Sequence, residues 1–202
     1  MASEIAHVIY ADRFLKKKPI AKDWGEFMLG NLFPDIRRVS NVTRGQTHNN
    51  FESLDLEFEG LTDFEKGWKF HVWCDMRRFE ILNQTGYYDL KEVGKYSYLS
   101  GYHLEDVLIW EKFSKWDSFA NFLMNVGYRN VLKEVGKNDW SFWYEALANY
   151  FRQKPNTQTI KVFCKTQPSV SPVVESVVEG VEILGKSNKI AKTISNLYQE
   201  II

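Results

Sequence analysis

The sequence of 202 residues is poor in cysteine and proline and contains no long apolar run. Its two cysteines, Cys74 and Cys164, lie far apart, and without a Cys-x-x-Cys pair they give no sign of a disulfide framework. A stretch of about 18 apolar residues is absent, so no transmembrane helix is expected. Neither charge sign dominates, because 26 basic residues balance 26 acidic ones. The chain as a whole is therefore not drawn to nucleic acid or to an anionic membrane, although a local basic patch stays possible.

The first residues, Met-Ala-Ser-Glu-Ile-Ala-His, also lack the basic head, apolar stretch and cleavage site of a signal peptide. We therefore expect a cytoplasmic protein with buried, reduced thiols. Hydrophobic residues make up 44% of the chain and aromatic residues 15%, with seven Trp. That composition supplies a packed core and excludes wholesale disorder.

Apolar residues recur mostly at helical rather than alternating spacing, which predicts an all-α, multi-helix bundle. We predict a metal-binding helical domain over residues 1–153, and over 154–202 a linker and C-terminal helices that pack on the same domain. Within the linker, Ile160 to Cys164 form a short β-prone run, and a valine stripe in the following helix either docks on the core or meets a partner or membrane. Helices are predicted at 3–17, 21–33, 62 to about 82, 103–115, 117–134 and 139–153, followed by two more after Ser171, while 36–60 is polar and irregular and 86–101 is a long loop.

The clearest chemical signal lies in the helix that begins at the capping box Thr62 to Glu65. His71 and Asp75 are four residues apart there, so their side chains share one face and can converge on one ion. An aspartate in a helix rich in Trp and Phe is costly to bury unless it is paired or bound to metal. Gly67, one turn before His71, would open space for a neighbouring group.

Three further residues extend this pair into a mixed set of imidazoles and carboxylates. Asp35 follows Pro34, which fixes the chain at a helix exit and can present the carboxylate inward. His48 follows Thr47 in a polar segment, and His7 lies on an apolar helix. Each residue alone is compatible with a structural role. Together they suit zinc, with manganese or iron as competitors.

Four stretches carry a resemblance: Ser3 to His7, Leu29 to Arg37, Thr47-His48, and Gly67 to Asp75. In this order they resemble the zinc-dependent phospholipase C family, whose fold is shared with zinc-dependent single-strand nucleases. The match covers roughly residues 3–80. It implies that Asp35, His48, His71 and Asp75 hold one metal ion and that Asp75 bridges to a second ion with His7.

The family also fills a third metal site with further His and Glu residues, for which this sequence offers His103 and Asp106. These two residues, three apart on a predicted helix, either add to a site or form a local salt bridge. Tyrosines cluster just before them, between Tyr87 and Tyr102. They either wall a substrate cleft or pack a long loop onto the core.

The function expected from these residues is metal-dependent phosphoester hydrolysis by a metal-activated water, as in a phospholipase C. Asp35 is the catalytic candidate, because besides binding metal it can orient that water. Arg37, Arg44 and Lys69 are candidates for a substrate phosphate, or else solvated charges. The expected substrate is a small-molecule or lipid phosphoester. The alternatives are a nuclease-like phosphodiesterase, against which the neutral charge argues mildly, and a non-catalytic metal-binding scaffold.

Overall fold

The computed structural model of the chain describes residues 2–96 and 98–202. These residues form α-helices joined by short 3-10 helices and contain no strand, which confirms the predicted all-α class. Met1, in the first predicted domain, and Ser97, in the predicted loop 86–101, lie outside the described residues.

The α-helices of the described residues are α1 (Glu4–Lys17), α2 (Trp24–Leu32), α3 (Arg44–His48), α4 (Asp63–Gln84), α5 (Lys91–Lys95), α6 (Tyr98–Ile109), α7 (Trp116–Met124), α8 (Lys137–Phe151), α9 (Thr157–Lys165), α10 (Val174–Gly185) and α11 (Asn188–Glu200). The 3-10 helices are Phe33–Arg38, Tyr87–Asp89, Trp110–Lys112 and Ser171–Val173.

The two helices that matter most for the site begin at the predicted caps. The Ser3 side chain accepts a hydrogen bond from the backbone N–H of Ala6 at the start of α1. At the start of α4, Thr62 and Glu65 form the reciprocal capping box. Each cap satisfies backbone N–H groups that the first helical turn leaves without partners. The capping side chains therefore determine the residue at which each helix begins.

The crossing of α2 and α4 is unusually close, because each helix places a glycine against the backbone of the other. A Cβ atom added at Gly30 would lie 1.8 Å from the carbonyl oxygen of Phe64, and one at Gly67 would lie 1.9 Å from that of Phe27. The space that Gly67 opens is thus filled by the backbone of α2. This contact brings the end of α2 beside His71.

The C-terminal helices pack on the rest of the fold. Helices α10 and α11 both contact α6, and α11 also reaches α4. Val174, Val177 and Val181 of the valine stripe are buried. In the described part of the chain, no helix combines the length and apolar character needed to cross a bilayer.

The predicted β-prone linker is wrong, because residues 157–165 form helix α9. The Asn156 side chain accepts hydrogen bonds from the backbone N–H groups of Gln158 and Thr159 and so caps this helix. Ile160, Phe163 and Cys164 are buried. Their spacing of three and four residues is helical, and burial of that face outweighs the strand propensity of the run.

Two other boundaries differ from the predictions. The loop predicted at 86–101 contains a 3-10 helix, the short helix α5 and the first turn of α6. The helix predicted at 117–134 ends at Met124, and Asn125 is its C-terminal cap. Gly127, two residues later, is the kind of residue that disfavours a longer helix.

Candidate metal centre

Helix α4 supplies the centre of the site through His71 and Asp75, whose side chains are both buried. The Nδ1 atom of His71 lies 2.8 Å from the backbone carbonyl oxygen of Asn31, at the end of α2. Since a carbonyl only accepts hydrogen bonds, Nδ1 carries the proton and the Nε2 lone pair of the neutral ring faces the site. A histidine oriented in this way is typical of a metal ligand with an outer hydrogen-bond partner.

Helix α1 brings His7 against this pair. The His7 ring stacks on that of His71, with a centroid distance of 3.7 Å and an interplanar angle of 12°. Its Nε2 lies 3.3 Å from Asp75 Oδ1. The Asn31 side-chain amide donates a hydrogen bond to the backbone carbonyl of His7 at 3.0 Å, so Asn31 positions both histidines.

His48 reaches the same carboxylate from the end of α3. Its Nε2 lies 3.4 Å from Asp75 Oδ2, and its Nδ1 lies 2.8 Å from the Thr47 hydroxyl. The indole N–H of Trp68 donates to the Thr47 carbonyl at 2.6 Å, which anchors the short helix α3 on α4. Thr47 therefore sets the ring orientation of His48, and Trp68 sets its position.

Asp35 completes the group from the 3-10 helix Phe33–Arg38. It is buried, and its Oδ1 lies 3.1 Å from Arg37 Nη2 and 3.3 Å from Arg38 Nε. Asp35, His48 and His71 have ligand atoms within 4.8 Å of one another, as do His7, His71 and Asp75. We call the five residues His7, Asp35, His48, His71 and Asp75 the His/Asp cluster. Because His71 belongs to both groups of three, it links them.

The electrostatics keep Asp35, Asp75 and His71 in the protonation states that metal binding requires. Burial raises the pKa of Asp35, but the neighbouring guanidinium groups of Arg38 and Arg37 outweigh it and hold the pKa well below its usual range. Burial also raises the pKa of Asp75, but nearby positive charge and hydrogen bonds, among them those from His48 and His7, outweigh it and hold that pKa well below its usual range. Burial, with His7 nearby, lowers the pKa of His71 well below 6.5. The carboxylates are thus ionised and His71 is neutral at neutral pH.

The donor atoms of the His/Asp cluster fit a divalent cation. The Nε2 atoms of His7, His48 and His71 are buried and make no hydrogen bond of normal geometry to a described residue, and the Asp75 carboxylate is the acceptor that all three face. Buried polar atoms without partners are costly, and a cation among them would use their lone pairs. Three imidazoles with two carboxylates form a ligand set suited to zinc, and also acceptable to manganese or iron.

The structure does not bring His103 and Asp106 into this cluster. His103 Nδ1 lies 3.3 Å from Asp106 Oδ2, and its Nε2 lies 3.3 Å from the Cys164 sulfur. The Tyr150 hydroxyl donates to Asp106 at 2.8 Å, and the Ser3 hydroxyl also donates to Asp106. Both ring nitrogens of His103 therefore have partners in a second polar group, and the local salt bridge is the better description of the pair.

The three candidate phosphate contacts have different surroundings. Arg37 lies against Asp35, and Arg44 is half-exposed with Nη2 3.5 Å from Asp75 Oδ2. Lys69 donates to Asp55 at 2.7 Å and to the backbone carbonyl of Glu57 at 2.6 Å. Lys69 therefore holds the irregular segment that contains Asp55 and Glu57, while Arg44 remains the cation at the cluster's edge.

An open cleft of about 320 Å³ connects the cluster to the surface. Its polar lining includes the buried His48 and Asp75 and the half-exposed Arg44. Its remaining wall is partly apolar and includes the half-exposed Phe79. The cleft is lined by Arg44, His48, Asn49, Leu54, Val72, Asp75, Met76 and Phe79.

Sequence reasoning did not identify Asn31 or Thr47 as residues that position the histidines. Asn31 acts partly through its backbone carbonyl, which no side-chain pattern reveals. Thr47 was noted only as the neighbour of His48. Glu4 was also missed: it is buried, and its Oε1 lies 3.5 Å from Arg38 Nε.

The pKa values of His71 and His103 are expected to lie on opposite sides of the ordinary histidine value in chelator-treated protein. Burial lowers the pKa of His103, but Cys164 and Asp106 more than compensate and raise the pKa to about 10. At pH 6.5 the His103 ring is therefore doubly protonated, whereas that of His71 is neutral. Nitrogen-15 NMR of the imidazole rings measures both states, and His71→Asn and His103→Asn assign the signals. A His71 ring that gains its proton above pH 6.5 would contradict the assignment.

Comparison with family models, with curated proteins and with solved structures finds no match to this chain. The case for a function therefore rests on the geometry of its own residues.

Proposed function

We propose that the chain binds divalent metal, zinc first, at the His/Asp cluster and hydrolyses phosphoesters there, as its resemblance to the zinc-dependent phospholipase C family implies. One observation carries the proposal. Five side chains from four separate segments of the chain meet in one buried group. Its three imidazole Nε2 atoms all lie 3.3–3.9 Å from the Asp75 carboxylate and make no hydrogen bond of normal geometry to a described residue. A cation among these nitrogen and oxygen atoms would use donor lone pairs that the protein's own contacts satisfy poorly.

The ligands divide between two candidate positions that share His71. One position has Asp35 and His48, and the other has His7 and Asp75. A bound divalent ion supplies a water whose pKa lies near neutrality. The ionised Asp35 carboxylate, held by Arg37 and Arg38, can accept a hydrogen bond from such a water and orient it.

The cleft defines where a substrate would lie. The half-exposed Arg44 lines the cleft beside Asp75, where its guanidinium can donate hydrogen bonds to phosphoryl oxygens. The apolar wall formed by Leu54, Met76 and Phe79 suits an apolar substituent on the phosphate. This combination favours a small-molecule or lipid phosphoester over a nucleic acid, for which a basic groove is the usual requirement.

The first test is metal content followed by a hydrolysis assay. Purified protein is expected to contain zinc by elemental mass spectrometry and to hydrolyse bis(p-nitrophenyl) phosphate or phosphatidylcholine. EDTA is expected to abolish the activity and added zinc to restore it. Arg44→Gln is the matched variant, because it should keep the metal and lower kcat/KM by about tenfold or more, as loss of a charge-stabilising donor does.

The alternatives give different results in the same experiment. Salt-sensitive cleavage of single-stranded DNA, without hydrolysis of the lipid, would indicate a nuclease. Bound zinc without hydrolysis of any substrate would indicate a metal-binding scaffold. Metal-free protein of normal stability would overturn the proposal as a whole.

A further inference from the structure

A second cavity, separate from the cleft of the His/Asp cluster, lies between α4, α5, α6 and α10. It has a volume of about 330 Å³, which is at the lower end of the range for small-molecule sites. Most of its wall is aromatic, and a single guanidinium group supplies its charge. The cavity is lined by Arg78, Tyr87, Tyr88, Val93, Gly94, Tyr96, Tyr98, Gly101, Tyr102 and Leu184.

Arg78 is the distinctive residue of this cavity, because its side chain is only 1% exposed. Its Nε donates to Glu105 Oε2 at 2.7 Å, and the Tyr10 hydroxyl donates to the other oxygen of that carboxylate. The guanidinium carbon lies 4.6 Å from the centre of the Tyr102 ring. These contacts fix the plane of the guanidinium group.

The contacts with Glu105 and Tyr102 do not involve the outer edge of the same guanidinium group. Its Nη1 and Nη2 atoms are buried and make no hydrogen bond of normal geometry to a described residue, although the Tyr88 hydroxyl lies near the guanidinium group. A buried charged donor without an acceptor is costly, so the cavity favours an occupant that brings one. The two parallel N–H donors at this edge match the two oxygens of a carboxylate.

The local charge selects among possible anions. Glu105 already balances Arg78, since the two groups form a buried ion pair. A dianion would therefore add two uncompensated negative charges in a buried setting, whereas a monoanion adds one. The tyrosine rings offer apolar faces to the body of the ligand.

We propose that this cavity binds a small monocarboxylate with an aromatic or apolar body, whose two oxygens accept hydrogen bonds from Arg78 Nη1 and Nη2. The inference is independent of the metal centre. It also gives the tyrosine cluster of the sequence a role as the wall of a ligand cavity, distinct from the cleft at the His/Asp cluster.

The test compares ligands on the unsubstituted chain, so that its outcome does not depend on whether a variant folds. Titrations monitored by calorimetry and by NMR of labelled tyrosine rings would use benzoate, benzamide, phenyl phosphate and inorganic phosphate. EDTA is present throughout to prevent carboxylate binding to metal. Benzoate is expected to bind at least about tenfold more tightly than neutral, isosteric benzamide, because benzamide lacks the charge-assisted pair of hydrogen bonds. Benzoate is also expected to shift the rings of Tyr88 and Tyr102.

Arg78→Lys sharpens the test, since lysine keeps the positive charge beside Glu105 but lacks the two-donor edge. Benzoate affinity is expected to fall at least about tenfold. Arg77→Lys, at the neighbouring and more exposed arginine of α4, is the matched control and should leave it unchanged. Equal affinity for benzoate and benzamide, tighter binding of either phosphate, or absence of benzoate binding would overturn the proposal. The last result would leave buried water as the acceptor for Arg78.

Discussion

Replacing His71 with alanine is expected to release the bound metal and to reduce phosphoester hydrolysis to background. His71 is the one residue common to both groups of possible ligands, so its loss breaks each of them. The substitution also removes the partner of the Asn31 carbonyl, which holds the end of α2 against the site. Loss of a catalytic metal removes both the activated water and the charge on the phosphoryl group, so the expected reduction is at least about a thousandfold.

His103→Ala is the matched control, because it removes an equally buried histidine from a neighbouring polar group. It is expected to keep the metal content of the wild type and most of the activity. Elemental analysis, activity and circular dichroism would be measured on both variants after the same purification. Full metal and full activity in His71→Ala would remove the metal-centre assignment, while equal losses in both variants would indicate a general effect on folding.

The His/Asp cluster could be predicted from the sequence where the direction of a side chain follows local spacing. His71 and Asp75 share a face because they are four residues apart on a helix whose capping box is visible at Thr62. Asp35 follows a proline that lies in the first turn of a 3-10 helix. In these cases the sequence determines both the backbone conformation and the direction of the side chain.

The remaining features depend on contacts between distant segments, which spacing does not encode. His103 and Asp106 also lie on one helix, but Cys164 and Tyr150 approach from α9 and α8 and occupy the ring and the carboxylate. The strand prediction for the segment that forms helix α9 is wrong for a related reason. Its strand-prone run becomes helical because Asn156 caps it and one face is buried against the core. Which of two local preferences prevails is decided by packing.

Replacing Gly67 with alanine is expected to destabilise the fold more than any exposed substitution, although alanine is the better helix former. The added Cβ would lie 1.9 Å from the Phe27 carbonyl oxygen and 2.8 Å from the Asn31 backbone nitrogen. Both are backbone atoms of α2, which cannot move aside as a flexible side chain can. The helices must therefore separate, and overpacking of this kind costs about 3 kcal/mol or more, well above the gain of about 1 kcal/mol in helix propensity. The net loss is therefore about 2 kcal/mol or more, and for a domain of this size the melting temperature should fall by at least about 4–8 °C.

The same separation should weaken metal binding, since the Asn31 carbonyl that orients His71 belongs to the displaced end of α2. Zinc affinity of the folded fraction is expected to fall by about tenfold or more, as outer-shell changes do at metal sites. Gly94→Ala in α5 is the control, because a Cβ there meets no atom within 4 Å. It should leave stability unchanged or raise it by up to about 1 kcal/mol. If Gly67→Ala has the melting temperature of the wild type and binds zinc equally well, the two helices are not held in contact at this glycine. The close crossing would then not be what aligns the histidine with the carboxylates.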